Sequence, residues 1–67
     1  MDVIAEIGET AGEVWRLLDS GGPLTLAQVK KKLSRPNELL NFAVGWLARE
    51  DKLEITCEKR VYRLRVK

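Results

Sequence analysis

The chain has no histidine and only one cysteine, Cys57. Without an imidazole there is no Ser–His or Cys–His pair to activate a nucleophile. Zinc clusters built from His and Cys are excluded for the same reason. A lone cysteine cannot staple its own chain, so no disulfide framework exists. That usage fits a reducing, cytoplasmic setting. No apolar run approaches the ~20 residues that a membrane span needs. The start, Met1-Asp2 followed by acidic residues, is unlike a signal peptide. There is no internal repeat, low-complexity stretch or linker. Nor is there a glycine-rich phosphate loop: Gly21-Gly22 follows a helical pattern instead of opening one with a lysine, and reads as a cap. Glu6, Glu9 and Glu13 are spaced as a solvated helix face. These features exclude any catalytic, cofactor or metal site that the residues could announce. A chain this short also has little volume for a small-molecule substrate pocket. The expectation is a protein that is not an enzyme.

What is present is a normal globular balance, with 45% apolar and 33% charged residues. Residues 1–67 make one small domain, which buries only about 60% of its unfolded surface. The net charge of +2 is unevenly spread. Asp2, Glu6, Glu9, Glu13 and Asp19 face only Arg16 within the first 19 residues. Lys30, Lys31, Lys32 and Arg35 follow with no acid among them, and Lys59, Arg60, Arg63, Arg65 and Lys67 enrich the tail. An acidic first segment with a basic middle and tail suits a polyanion on one side of the molecule.

Ile4, Ile7, Ala11, Val14 and Leu18 recur at three- and four-residue steps, which predicts a first helix from about Val3 to Leu18 with these residues buried. Asp19-Ser20-Gly21-Gly22-Pro23 ends it. Gly8 and Gly12 lie inside that helix beside Ala5 and Trp15, and predict close approach of another helix, from within the fold or from a second copy. Trp15 divides between core and interface. Leu24 is read as a short bridging strand or an extended residue. Thr25 with Gln28 three residues on forms a capping box for a second helix, whose stripe is Leu26, Val29 and Leu33. The residue before proline avoids the helical region, so the second helix should end before Arg35, and a third opens at Pro36 or Asn37. Leu39, Leu40, Phe42, Ala43, Trp46 and Leu47 give that helix its apolar arc. Its outer surface is assigned to Asn37, Glu38, Asn41, Val44, Gly45, Ala48 and Arg49.

The tail alternates with period two. Leu53, Ile55 and Cys57 point one way, and Cys57 reads as a small buried hydrophobe. With Lys59-Arg60 as the tip, Cys57 faces Tyr62, Ile55 faces Leu64 and Leu53 faces Val66, while Glu54 lies opposite Arg65 and Thr56 opposite Arg63. The tip lacks the Asn-Gly chemistry that favours a two-residue turn, and a longer tip centred on the same residues keeps this register. The layout is α+β, mainly α: three helices plus a C-terminal two-stranded hairpin, a winged helix-turn-helix.

Four segments carry a family resemblance: Ile7-Gly8-Glu9-Thr10-Ala11-Gly12-Glu13-Val14-Trp15, Gly21-Gly22-Pro23-Leu24-Thr25, Gly45-Trp46-Leu47-Ala48-Arg49-Glu50-Asp51-Lys52 and Val61-Tyr62-Arg63-Leu64. Together they resemble a family of very small prokaryotic winged helix-turn-helix proteins of unknown function. The resemblance covers nearly the whole chain and implies the fold, with no activity or ligand attached. One departure is that Ser34-Arg35-Pro36-Asn37 lacks the glycine common in such turns.

The architecture and charge predict a DNA-binding, transcription-regulatory module. Lys30, Lys31, Arg35, Lys59, Arg60 and Arg63 are the candidates for phosphate contact, with Asn37 and Asn41 as candidates for base edges. Val44, Gly45 and Ala48 offer no base-specific hydrogen bond, so sequence specificity is expected to be low. The expected partner is double-stranded DNA, with no cofactor. The rival expectation is a protein-interaction module, a homodimer included, that uses helix 1 or helix 3.

Overall fold

The computed structural model describes residues 2–67, so Met1 lies outside the described residues. In chain order the elements are α1 (Val3–Gly21), β1 (Leu24–Thr25), α2 (Leu26–Lys32), α3 (Asn37–Arg49), β2 (Leu53–Glu58) and β3 (Val61–Val66). Both pairings of the sheet are antiparallel, in the order β1-β3-β2. This is a winged helix-turn-helix, with the bridging strand at Leu24–Thr25 completing the sheet.

Asp2 caps α1, accepting a hydrogen bond from the Ala5 backbone N–H at 3.2 Å. The helix ends three residues later than its periodicity predicts. Asp19, Ser20 and Gly21 stay helical, and Ser20 Oγ donates back to the Arg16 carbonyl at 2.9 Å. Gly22 stops it with φ +80°, a conformation an L side chain resists, and its N–H reaches the Leu18 carbonyl at 3.0 Å. Ala11, Val14 and Leu18 are buried as expected, but Ile4 is 77% exposed and Ile7 only half-buried. The cause is length. Nineteen residues run about 28 Å while the thirteen of α3 run about 20 Å, so the first turns of α1 pass beyond anything that could cover them. Thr10 is buried instead, and its hydroxyl is satisfied by donating to the Glu6 carbonyl at 2.7 Å.

Helix α2 carries the complete capping box, with Gln28 N–H to Thr25 Oγ1 at 3.1 Å and Thr25 N–H to Gln28 Oε1 at 2.8 Å. The turn to α3 needs no glycine. Leu33 is extended (φ −108°) and Pro36 has φ −56° and ψ 143°, so no residue between them enters the left-handed region. That resolves the missing turn glycine.

Helix α3 buries Leu39, Leu40, Ala43, Val44 and Leu47. Three placements differ from the sequence reading. Val44 is core, whereas Phe42 and Trp46 are 55% and 45% exposed. The apolar arc is wider than the surface that α1 and the sheet present to it. The stripe 40-43-44-47 takes the centre, leaving residues 42 and 46 on the flank. Leu53 and Leu64 bring the sheet into the same core with Val29 of α2. Helix α3 closes with Asp51 at φ +62°; the Asp51 N–H reaches Ala48 O at 3.1 Å and the Lys52 N–H reaches Leu47 O at 2.9 Å, the paired bonds of a Schellman stop.

The wing has the predicted register at all five pairs, from Leu53 with Val66 to Cys57 with Tyr62. Glu54 and Arg65, opposite one another, form an ion pair at 2.6 Å. Lys59 and Arg60 make the two-residue tip with φ +53° and +66°. Both central residues are left-handed, as a type I′ turn requires, without the glycine or asparagine that suits it.

Candidate nucleic-acid interface

The fold brings one residue of each basic segment, Lys30 and Arg60, to a shared hollow. The capping box starts α2 immediately after β1, and β1 is tied to β3 at Leu24–Leu64 and Thr25–Arg63. The first turns of α2 therefore lie beside the free end of β3. Between them is a hollow of about 280 Å³, lined by Thr25, Leu26, Ala27, Lys30, Arg60, Val61 and Tyr62. A second hollow, of about 210 Å³, adjoins it and is lined by Leu26, Asn41, Val44, Gly45, Ile55, Tyr62 and Leu64. Leu26 and Tyr62 border both. Lys30 and Arg60 thus line one hollow and Asn41 the next, with Leu26 and Tyr62 shared between the two.

The remaining candidates do not line either hollow. Lys31 is exposed on α2, Lys59 at the wing tip, and Asn37 at the start of α3 one turn before Asn41. The three lysines of α2 also occupy its last turn, where a positive charge is favoured by the helix dipole in any case. Arg63 is exposed on the outer face of the sheet, between Thr25 and Thr56. Arg65, its neighbour on that face, is engaged with Glu54.

Arg35 has a different setting. Its guanidinium donates to both carboxylate oxygens of Glu13, Nε to Oε1 at 3.1 Å and Nη2 to Oε2 at 2.6 Å. This fork spans α1 and the α2–α3 turn. The hydrogen bond from Arg35, followed by its charge, holds the Glu13 carboxyl below the usual carboxylate range. The same hydrogen bond raises Arg35 further above its ordinary value. Arg35 therefore fixes the turn that positions Asn37, with its fork already occupied.

Cys57 is exposed, not buried. Its strand face was assigned correctly, opposite Tyr62, but only the base of the wing reaches the core; past Leu53 and Leu64 the same face runs out over the cleft. The sequence reading also missed Tyr62, Ile55 and Leu26 as lining residues. Period-two alternation puts Tyr62 and Ile55 on one face of the hairpin but does not say where the core stops covering it.

A separate groove of about 700 Å³ lies between α1, the end of α3 and the base of the sheet, with Gly8, Gly12, Trp15 and Trp46 among its walls. Arg16, Lys52 and the ion-paired Asp51 and Lys67 line it too. Beyond the helix's own backbone, nothing lies within 4 Å of a Cβ added at Gly8, and the nearest atoms to one at Gly12 are those of the Arg16 guanidinium, from 3.3 Å. Close packing of a helix within the fold, one of the two reasons offered for these glycines, is thereby ruled out.

Among the described residues no helix is long and apolar enough to cross a membrane. The family model described as winged helix-turn-helix domain (DUF2582) matches residues 1–66. An uncharacterized protein of Methanocaldococcus jannaschii is 36% identical over 69 aligned positions, covering 98% of this chain and 97% of that protein.

Proposed function

Because the chain belongs to the DUF2582 family of winged helix-turn-helix domains, we propose that it is a non-enzymatic, cytoplasmic DNA-binding module of low sequence specificity, acting in transcription regulation. The observation that carries this reading is the convergence of Lys30 from α2 and Arg60 from the wing tip on one cleft, with Asn41 of α3 in the adjoining hollow. Lys30, Lys31, Lys59, Arg60 and Arg63 supply phosphate contacts. Such contacts give affinity and orientation without reading sequence. Asn37 and Asn41 approach base edges, where an asparagine can pair bidentately with adenine. Arg35 serves by holding the turn through Glu13. Between Glu38 and Arg49 at its two ends, the exposed side of α3 otherwise offers Phe42, Gly45 and Trp46, which read little, and this supports low specificity.

The test is a salt-titrated binding assay with mixed-sequence duplex DNA. Micromolar binding that falls steeply with salt is expected. No binding of this duplex or of its separated strands, even at low salt, would overturn the reading.

A second reading is favoured by the groove at Trp15 and Trp46. A partially exposed tryptophan beside open glycines suits a protein partner, a second copy included. Sedimentation at several concentrations checks the homodimer; a strict monomer throughout would remove it.

A further inference from the structure

We infer that the cleft between α2 and the wing seats an unpaired nucleobase against the ring of Tyr62, so that the domain prefers single-stranded or locally opened DNA to a closed duplex. The inference rests on the DNA-binding reading and names the form of nucleic acid. Tyr62 is 50% exposed. Its cross-strand neighbour is the small Cys57, which leaves the ring uncovered from that side. It is also the aromatic wall common to both hollows.

The surroundings select the ligand. Apolar floor is supplied by Leu26 and Ile55, which suits the face of a base. Lys30 and Arg60 line the hollow on the α2 side, and neither takes part in an ion pair among the described residues. Asn41, at the α3 side, can hydrogen-bond the edge of a base lying on the ring. Glu58, cross-strand partner of Val61, is not itself among the lining residues. A phosphate flanking the base on the α2 side would meet positive charge. An aromatic ring in a cationic groove is the general means of holding single strands, because every base has a face to stack. A closed duplex hides those faces and shows only edges, for which this surface has few readers.

The test compares three labelled DNAs by anisotropy: a short oligothymidylate, a duplex of equal length, and that duplex with a central mismatched bubble. The proteins are the full chain, Tyr62→Ala and Tyr62→Phe, each checked for its fold by circular dichroism. The single strand and the bubble should bind more tightly than the duplex. Tyr62→Ala should weaken binding to both about tenfold or more, a larger loss than on the duplex. Tyr62→Phe should bind as the parent does. If Tyr62→Ala melts, Tyr62→Leu keeps an apolar wall without a ring and carries the same expectation. Equal binding of oligothymidylate by the parent and the ring-less variant would overturn the inference, as would preference for the closed duplex. Both results leave DNA binding itself standing. Failure of every DNA to bind at low salt would instead remove the reading beneath it.

Discussion

Replacing Lys59-Arg60 by Asn-Gly should make the protein more stable and a weaker DNA binder. Both residues of the tip are left-handed, at φ +53° and +66°. For residues with a Cβ that conformation costs roughly 1–2 kcal/mol each. Asparagine tolerates it and glycine is free of the penalty, though glycine surrenders about 0.5–1 kcal/mol of chain entropy. A net gain of about 1–2 kcal/mol follows. For a domain this small each kcal/mol moves Tm by about 4–8 °C. Both side chains are exposed, so no buried contact is lost. The same change deletes two of the five proposed phosphate contacts. Each contact contributes about 0.9 to the slope of log K against log salt, so the slope should fall by about 1.8. Thermal denaturation and a salt series of anisotropy titrations read the two effects separately. Lys59→Ala with Arg60→Ala is the control: it should show the same loss of slope without the gain in Tm. A Tm at or below the parent's would refute the strain reasoning. An unchanged slope in both double variants would remove the wing from the DNA interface.

Leu40 is fully buried at the centre of the α3 stripe. Leu40→Ala should cost about 2–5 kcal/mol, much of the roughly 3–10 kcal/mol expected for a chain of this length; a loss under about 1 kcal/mol in urea denaturation would show that α3 is packed otherwise. Gly8→Ala meets only open space within the fold and should raise stability by about 1 kcal/mol through helix propensity. A loss of stability that grows with protein concentration would place a second copy against that face. The Glu13–Arg35 fork lowers the Glu13 pKa in the folded state, so its stabilising effect is complete above the ordinary carboxylate range and is lost as pH falls through the depressed folded value. Arg35→Met should therefore narrow the gap in Tm between neutral and acidic buffer, and an unchanged gap would mean that the fork contributes nothing to folding.

The parts of this fold legible in the sequence are those set by local rules. The capping box at Thr25 and Gln28, the break enforced by Pro36 and the register of the hairpin each follow from residues within a few positions of one another, and each appears in the structure. What periodicity could not supply was depth. It identifies a face but not how far along that face a neighbour extends. Ile4, Phe42, Trp46 and Cys57 lie where their elements run past, or turn aside from, what α1, α3 and the sheet can cover. The same limit governed the site. Net charge by segment singled out the lysines of α2 and the wing tip, yet only the pairing of β1 with β3 brings Lys30 and Arg60 to one cleft. Arg35 fell into the basic group by composition, while its Glu13 partner lies 22 residues earlier, beyond any local pattern. Tyr62 shows the consequence most directly. As a strand residue it belongs with Leu64 on the core face; at the wing's free end that face has no core, and the residue type that would ordinarily be buried becomes the one best placed to meet a ligand.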